Sequence, residues 1–198
     1  MIGLRDQKKV RVREGLVDAA IRLFQERGPE ATSVDDIARA VDVSRATFFN
    51  YFPYKEAILV EIGARFVADI AEQAARHRRR SVRQALYDLA DGVAGIAERH
   101  PNVVPHIARE ITHSDPERRR YAASRMQYPT LYDPVLEGLR QAGALRSPRK
   151  QRSYARQLVD MTTGALVRAG DDFPVSGLRA ELRANVDLFC DGGVVGRA

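Results

Sequence analysis

The part of this chain that most tightly constrains its fold is residues 32–56, with the sequence TSVDDIARAVDVSRATFFNYFPYKE. Either Thr32 or Ser33 can cap a helix, because a hydroxyl oxygen accepts a hydrogen bond from a backbone N–H one turn ahead. The residues that would form the apolar face of that helix are Val34, Ile37, Ala38 and Val41. Asp42 then stands where the chain must turn. The first half of the segment therefore predicts a short amphipathic helix that ends in a turn.

A second short helix is predicted after this turn. Ser44 can cap it, and it runs from Arg45 to about Tyr51. A proline then ends it, since proline cannot continue the hydrogen-bond ladder. Phe48 and Phe52 lie four residues apart, share one face and are expected to pack inward. Two short helices joined in this way form a helix-turn-helix, whose second helix can lie in the major groove of DNA.

This segment resembles the DNA-binding signature of the TetR family of transcriptional regulators. The residues that match the signature are Ile37-Ala38, Val43-Ser44, Thr47, Tyr51-Phe52-Pro53 and Lys55-Glu56-Ala57. The N-terminal position of the segment and the length of 198 residues match as well. The resemblance implies an all-α protein with a three-helix helix-turn-helix DNA-binding domain over residues 1–56. A larger helical domain for ligand binding and dimerisation would follow over 57–190. The residues after the last apolar stripe, 191–198, are predicted to form a disordered tail.

The resemblance also implies DNA contacts for individual side chains. Positions that contact bases in the family are occupied here by Arg45, Ala46, Thr47 and Phe49. Positions that contact phosphates are occupied by Ser33, Thr47, Tyr51 and Lys55. Ser44 belongs to the same interface as the cap of the second helix. Capping alone would also explain Ser33, and a helix pair of this kind can serve packing alone.

The chain departs from the family pattern at three positions. Asp42 replaces the usual glycine of the turn, and aspartate tolerates a left-handed backbone less well than glycine does. Ala46 replaces a glycine or proline. Phe49 replaces the usual tyrosine, so only apolar contact, for example with a thymine methyl group, remains at this position.

The charge distribution favours anionic partners, since the formal net charge is +6. Residues 1–14 carry five basic and two acidic side chains, so we expect a basic arm that reaches phosphates just ahead of the motif. Two further basic runs, Arg76–Arg80 and Arg118–Arg120, are expected to be solvated helix faces.

The sequence predicts a cytoplasmic location. No run of 18 apolar residues is present, so no transmembrane helix is expected. The first residues lack the apolar stretch of a secretory signal. A single cysteine, Cys190, cannot form an intrachain disulfide and suits a reducing compartment. We expect Cys190 to be a small core or interface residue.

Helical spacing of apolar residues continues along nearly the whole chain, without strand-like alternation. The helices predicted outside the motif span about residues 10–27, 54–78, 81–100, 103–112, 115–142, 147–170 and 176–190. Breaks in the helix over 115–142 are expected at Pro129 and Pro134. Ser147-Pro148 is a suitable start for the next helix.

In the family the last two long helices form the interface of a homodimer. The candidates for that seam are Leu158, Met161, Ala165, Leu182, Val186 and Phe189. The alternative is that these residues pack within one chain. Dimerisation suits the proposed role, because a two-fold protein reads two half-sites about 34–36 Å apart.

Ligand-binding residues cannot be carried over from the family, whose pockets vary. Polar side chains on the central helices are therefore the candidates: Tyr87, His106, Glu110, His113, Tyr121 and Tyr128, with Asn102 and Tyr132. His106, Glu110 and His113 occupy positions i, i+4 and i+7, so they would project from one helix face. Two imidazoles and a carboxylate could bind a transition metal there. Pocket lining or a solvated face explains the same spacing.

These observations predict a ligand-responsive, DNA-binding transcriptional regulator, most often a repressor in this family. It would act as a homodimer on a palindromic operator and respond to a small-molecule effector. A helical metal-dependent enzyme or metal sensor that uses His106, Glu110 and His113 is one alternative, and a protein-interaction module is another. Neither a glycine-rich phosphate loop nor a nucleophile elbow is visible in the sequence, so we expect no enzymatic activity and no cofactor.

Overall fold

The computed structural model describes residues 3–75, 81–126, 131–141, 143, 145, 147, 150–171 and 175–194. Every regular element within these residues is a helix, as expected from the sequence. The α-helices are Leu4–Arg27 (α1), Val34–Arg39 (α2), Arg45–Phe49 (α3), Ala57–Ala75 (α4), Val82–Arg99 (α5), Val104–Ile111 (α6), Pro116–Met126 (α7), Asp133–Gln141 (α8), Gln151–Asp171 (α9) and Val175–Phe189 (α10). None of the described helices is long and apolar enough to cross a membrane.

The helices pack into two compact units. The first comprises residues 1–63 and 100–125, and it contains α1 to α3, the start of α4, α6 and nearly all of α7. The second comprises residues 64–99 and 126–198, and it contains the rest of α4, α5 and α8 to α10. The chain passes from the first unit to the second within α4. A functional boundary at residue 56 stays a prediction.

Local capping interactions define the helix-turn-helix as predicted. The Ser33 hydroxyl accepts a hydrogen bond from the Asp36 N–H at 3.1 Å, and the Ser33 N–H donates to the Asp36 carboxylate at 3.0 Å. This reciprocal pair is a capping box at the start of α2. Ser44 caps α3 and accepts a hydrogen bond from the Thr47 N–H at 3.0 Å. Between the two helices Asp42 has a φ of 53°, which is the left-handed conformation anticipated for the turn.

Two glycines shape the ends and the approach of α1. Gly28 ends the helix with a φ of 80°, and its N–H donates to the Phe24 carbonyl at 2.8 Å, as expected for a glycine cap. Gly15 lies against the turn, where a Cβ atom would come within 2.7 Å of Val41 Cγ1. The absence of a side chain at Gly15 therefore permits the close approach of α1 to the turn.

Aromatic side chains form the centre of the first unit. Phe24, Phe48 and Phe52 are each at most 1% exposed. The ring centroids of Phe48 and Phe52 lie 5.2 Å apart. The predicted inward orientation of these two phenylalanines is confirmed. Because α3 has only five residues and cannot be stable alone, this packing holds it in place.

The second unit is built around α10, which packs against both α5 and α9. The leucines of this unit that are at most 2% exposed are Leu86, Leu89, Leu131, Leu136, Leu139, Leu178 and Leu182. Arg183 of α10 donates two hydrogen bonds to the Asp91 carboxylate of α5, at 2.9 and 2.6 Å. These bonds hold the pKa of Asp91 below its usual value.

Most of the residues predicted to form the homodimer interface are core residues of the single chain. The members that are at most 5% exposed are Leu158, Ala165, Leu182, Val186 and Phe189. Met161 is half-buried. The expectation that the five form a dimer seam is wrong, because α10 covers α9 on one side and α5 on another. Helical spacing reveals an apolar stripe without revealing which partner covers it.

Several helix ends differ from the predicted ones. α3 ends at Phe49 rather than about Tyr51, and α4 begins at Ala57. Pro134 lies in the first turn of α8, where a missing N–H costs nothing, so it starts a helix instead of breaking one. Pro129 lies outside the described residues.

The last two helices also depart from their expected limits. α9 begins at Gln151 rather than at Ser147, and Pro148 lies outside the described residues. After α10 a π-helical turn, Cys190–Val194, continues into the segment predicted as a tail. Cys190 is 7% exposed, which confirms it as a core residue.

Candidate nucleic-acid interface

The exposed face of α3 carries residues predicted to read bases. Arg45, Ala46 and Phe49 are exposed, and Thr47 is half-buried. Phe49 keeps 41% of its surface in contact with solvent, whereas the adjacent Phe48 is fully buried. The helix therefore offers a cation, an apolar ring and a hydroxyl group on its accessible side.

The guanidinium of Arg45 is held at two points. Its Nη1 atom lies 2.9 Å from the Asp35 Oδ2 atom of α2. Its Cζ atom lies 5.5 Å from the centroid of the Phe49 ring, which is a cation–π distance. Sequence reasoning missed Asp35, because ten residues separate it from Arg45 and no local spacing rule joins the two.

The hydroxyl groups of the predicted interface serve as caps. Ser33 donates from its hydroxyl to Asp36 Oδ2 at 2.7 Å, in addition to its bonds in the capping box. These hydrogen bonds lower the pKa of the Asp36 carboxyl. The Ser44 and Thr47 hydroxyl oxygens lie 2.9 Å apart. Contact of Ser33 or Thr47 with a phosphate stays a prediction.

Lys55 is bound to backbone carbonyls. Its Nζ donates to the Pro29 carbonyl at 3.0 Å and to the Thr32 carbonyl at 3.4 Å. Lys55 therefore fastens the loop between α1 and α2. A phosphate contact by Lys55, or by the half-buried Tyr51, stays a prediction.

The basic N-terminal residues do not form an extended arm. α1 begins at Leu4 and continues through Gly15 to Arg27, so most of the basic N-terminal residues lie on a helix. Arg13 forms an ion pair with Glu61 at 2.6 Å, and its guanidinium lies 5.8 Å from the Phe52 ring centroid. The expected arm is therefore helical from Leu4 onwards, and contact of its basic residues with phosphates stays a prediction.

A buried charge cluster joins α6 and α7 to the segment that precedes α4. Glu110 is 4% exposed, and its carboxylate accepts hydrogen bonds from Arg118 at 2.8 and 2.5 Å. The Tyr54 hydroxyl donates to the same carboxylate at 3.2 Å. The Arg118 guanidinium lies 4.6 Å from the Tyr54 ring centroid. Burial, together with the charge of Glu110, raises the pKa of Tyr54 to about 12.

This cluster corrects one expectation about the basic runs. Arg118 was expected on a solvated face, but it is bound to Glu110, and its Nη2 atom also lies 3.5 Å from the Glu56 carboxylate. Arg119 and Arg120 are exposed, as expected. Arg76–Arg80 lie outside the described residues.

The predicted metal-ligand set is not assembled. α6 ends at Ile111, so His113 lies beyond the helix and does not share a face with His106 and Glu110. Glu110 is already bound to two neighbours, and His113 Nδ1 accepts a hydrogen bond from the Asp115 N–H at 3.1 Å. No three His, Cys, Asp or Glu side chains in the described part of the chain are arranged to hold a metal ion.

The ligand-binding candidates are divided between the two units. Tyr87 belongs to the second unit, where its hydroxyl donates to Asp187 of α10. His106, in the first unit, is half-buried, and burial lowers its pKa. Tyr121 also belongs to the first unit, and its buried hydroxyl has no hydrogen-bond partner among the described residues. Tyr128 lies outside those residues. Their ligand contacts stay predictions.

Two other polar candidates have structural partners. Asn102 donates to the Gln25 carbonyl of α1 at 3.1 Å. The Tyr132 hydroxyl lies 2.6 Å from the Thr162 hydroxyl, inside the second unit. The neighbouring Thr163 is 5% exposed, and its hydroxyl lacks a hydrogen-bond partner within the described ranges. No sequence signal distinguishes Thr163 from an ordinary core residue.

An open groove of about 670 Å³ lies along α9 and α10. Leu188 on its rim is 68% exposed, although Phe189 beside it is buried. The residues that line the groove are Lys150, Ser153, Tyr154, Gln157, Asp160, Met161, Leu188, Phe189 and Gly192. The second unit therefore presents a partly apolar surface on the helices expected to dimerise.

Family comparisons account for nearly the whole chain. Residues 16–62 match the model of bacterial regulatory proteins of the tetR family. Residues 64–192 match the model of the C-terminal domain of TetR/AcrR family transcriptional repressors. The chain belongs to the TetR family. TetR-family proteins are DNA-binding transcriptional regulators that respond to ligands.

Among solved structures of TetR-family proteins, FadR from Thermus thermophilus in complex with lauroyl-CoA is 32% identical to this chain. The alignment covers 94% of this chain and 97% of that one, with a TM-score of 0.84. FadR from Bacillus subtilis in complex with stearoyl-CoA has a TM-score of 0.71 over 90% of this chain and 98% of that chain. Its identity of 18% shows a shared fold alone.

Curated relatives match over shorter stretches. The repressor Rv3405c of Mycobacterium tuberculosis is 35% identical over 104 residues, which are 46% of this chain and 55% of that protein. The regulator TcmR of Streptomyces glaucescens is 45% identical over 56 residues, or 28% of this chain and 25% of TcmR. This chain therefore spans only about half, or less, of the curated relatives that it matches.

Proposed function

We propose that this TetR-family chain is a cytoplasmic repressor whose homodimer binds a palindromic operator and is released by a fatty acyl-CoA. DNA binding is supported chiefly by the first turn of α3. Ser44 caps this turn, and the buried ring of Phe48 fixes α3 against the core of the first unit. The exposed side chain of Arg45 is accessible to a base edge. In helix-turn-helix proteins this end of the recognition helix meets the bases.

Homodimerisation is supported by the surface of α9 and α10. An exposed leucine at position 188 costs free energy in water that an apolar partner surface removes. The groove beside Leu188 offers the half-buried Met161 as a further contact for a second copy. A two-fold dimer would place two α3 helices against two half-sites, about one helical turn of DNA apart.

An acyl-CoA effector is supported by the relation to FadR from Thermus thermophilus, whose structure contains lauroyl-CoA. The 32% identity extends over almost the full length of both chains. The ligand-binding part of the chain is therefore included in the similarity, and not only the DNA-binding part.

Acyl-CoA binding would be coupled to operator binding through α4, by a shift of the protein between two conformations. α4 is one continuous helix with its first residues in the first unit and its remainder in the second. The cluster of Glu110, Arg118 and Tyr54 ties α6 and α7 to the residues just ahead of α4. If acyl-CoA and operator each favour a different arrangement of the recognition helices, each weakens the binding of the other by the same factor.

We expect lauroyl-CoA to weaken the binding of the protein to its operator by about 5- to 150-fold, the usual range of allosteric coupling. The measurement is fluorescence anisotropy of a labelled operator duplex, titrated with protein at several concentrations of lauroyl-CoA. Free coenzyme A and laurate serve as controls for the two halves of the ligand. A circular dichroism spectrum of the protein with lauroyl-CoA checks that the helices persist.

The reciprocal titration provides a second check on this proposal. Saturating operator should weaken lauroyl-CoA binding by the same factor, because coupling free energies are symmetric. Operator affinity that stays constant at saturating lauroyl-CoA would rule out an acyl-CoA effector and leave the DNA-binding proposal standing.

A further inference from the structure

Two consecutive aspartates lie in the first turn of α2, but they have different partners. Asp36 takes part in the capping box with Ser33 and forms an ion pair with Arg27 at 2.9 Å. Asp35 extends instead to the recognition helix, where its carboxylate meets Arg45 at 2.9 Å. The Asp35 and Arg45 side chains remain 51% and 57% exposed. Asp35 is therefore available to influence how Arg45 meets DNA.

The position of Asp35 restricts the orientations that the Arg45 guanidinium can adopt. Arginine has five N–H donors, and the contact with Asp35 uses Nη1, so donors remain for the O6 and N7 atoms of a guanine. The Phe49 ring restrains the same guanidinium from a second direction. A carboxylate beside the guanidinium also repels phosphate groups, which would otherwise attract an unrestrained arginine.

We propose that Asp35 is a positioning residue that determines operator specificity by directing Arg45 to a base edge and away from the phosphate backbone. The inference rests on the proposed function, since it requires that Arg45 reads a base. Asp35 should also weaken binding to every DNA sequence, because its negative charge repels the phosphate backbone. Asp35 thus lowers the affinity for DNA in general and raises the discrimination between bases. An exposed ion pair of this kind contributes little to stability, so stability does not explain it.

The test compares wild type with Asp35→Asn, which keeps the shape of the side chain and removes its charge. Dissociation constants are measured for the selected operator, for each of its single-base variants and for a random duplex. We expect binding to the random duplex to strengthen by about three- to tenfold at low salt. Discrimination at the base pair read by Arg45 should fall by about fivefold or more.

Three further variants make the test specific. Asp42→Asn removes the same charge from the exposed turn of the motif and should leave base preference unchanged. Asp35→Glu keeps the carboxylate and should retain discrimination. In an Arg45→Ala background, Asp35→Asn should change no base preference, because Asp35 acts through Arg45. Circular dichroism of each variant confirms that it is folded.

If the Asp35→Asn variant discriminated between bases as well as wild type at every operator position, the proposed role of Asp35 would be wrong and the proposed function would be unaffected. A change of preference that persists in the Arg45→Ala background would also overturn this role, since Asp35 would then contact a base itself. Wild type that prefers no sequence over random DNA would instead overturn the proposed function together with this inference.

Discussion

Replacing Glu110 by alanine is expected to lower the free energy of unfolding by about 3 kcal/mol, because it leaves the Arg118 guanidinium without its main carboxylate partner. Glu110 is 4% exposed, and Arg118 is 24% exposed. We expect a loss near the lower end of the range for a broken buried ion pair, because Arg118 is partly exposed to water. Arg118 also keeps the Glu56 carboxylate, 3.5 Å away, as a second partner. The Tyr54 hydroxyl would lose its acceptor as well.

Chemical denaturation of wild type and Glu110→Ala measures this loss. Glu137→Ala is the matched control, since Glu137 pairs with Arg140 three residues away on the surface of α8. An exposed pair of this kind contributes little to stability, because solvent screens it. If Glu110→Ala costs no more than Glu137→Ala, the cluster does not stabilise the first unit. The same variant should also weaken the coupling between lauroyl-CoA and operator, because it releases α6 and α7 from Tyr54.

Arg45→Ala is expected to remove about 1–3 kcal/mol of base discrimination per half-site, confined to one base pair and repeated symmetrically in both halves. Arginine can donate two hydrogen bonds to guanine O6 and N7, and alanine can donate none. The side chain is exposed at the start of α3 and contributes nothing to the core, so fold and dimer should be unchanged. Thr47 and Phe49 should have smaller effects.

The measurement is the dissociation constant of Arg45→Ala for every single-base variant of the operator. Lys55→Ala provides the contrast, because loss of a phosphate contact should weaken binding to all sequences alike. It should also reduce the slope of log K against log salt by about 0.9 per half-site. If Arg45→Ala weakened binding to every operator variant by the same factor, Arg45 would not contact a base. Thr47 and Phe49 would then be the residues that read bases. If Lys55→Ala left the salt slope unchanged, Lys55 would contact no phosphate, and its role would lie in its contacts with the Pro29 and Thr32 carbonyls and with Glu56.

The local structure of the helix-turn-helix was predictable from its residues. The caps at Ser33 and Ser44, the left-handed turn at Asp42 and the buried faces of Phe48 and Phe52 all follow from interactions within four residues. Each depends on backbone geometry that neighbouring residues determine. The all-helical fold follows from helical spacing of apolar residues in the same way.

Long-range pairings were not predictable, because spacing rules do not reach them. Asp35 meets Arg45 across ten residues, and Tyr54 meets Glu110 across 56. The seam prediction was wrong for the same reason, since a stripe on a helix does not identify the helix that covers it. His113 was misplaced because α6 ends two residues before it.

Selection of bound sites from a pool of random duplexes tests most directly whether this chain is a sequence-specific, two-fold DNA-binding protein. We expect enrichment of one palindrome, with half-site centres about 34–36 Å apart or a multiple of that distance. The enriched duplex should bind at least about 10³-fold more tightly than random DNA at physiological salt. Recovery of duplexes without a shared sequence, bound with equal affinity, would show that the protein is not a sequence-specific, two-fold DNA-binding protein.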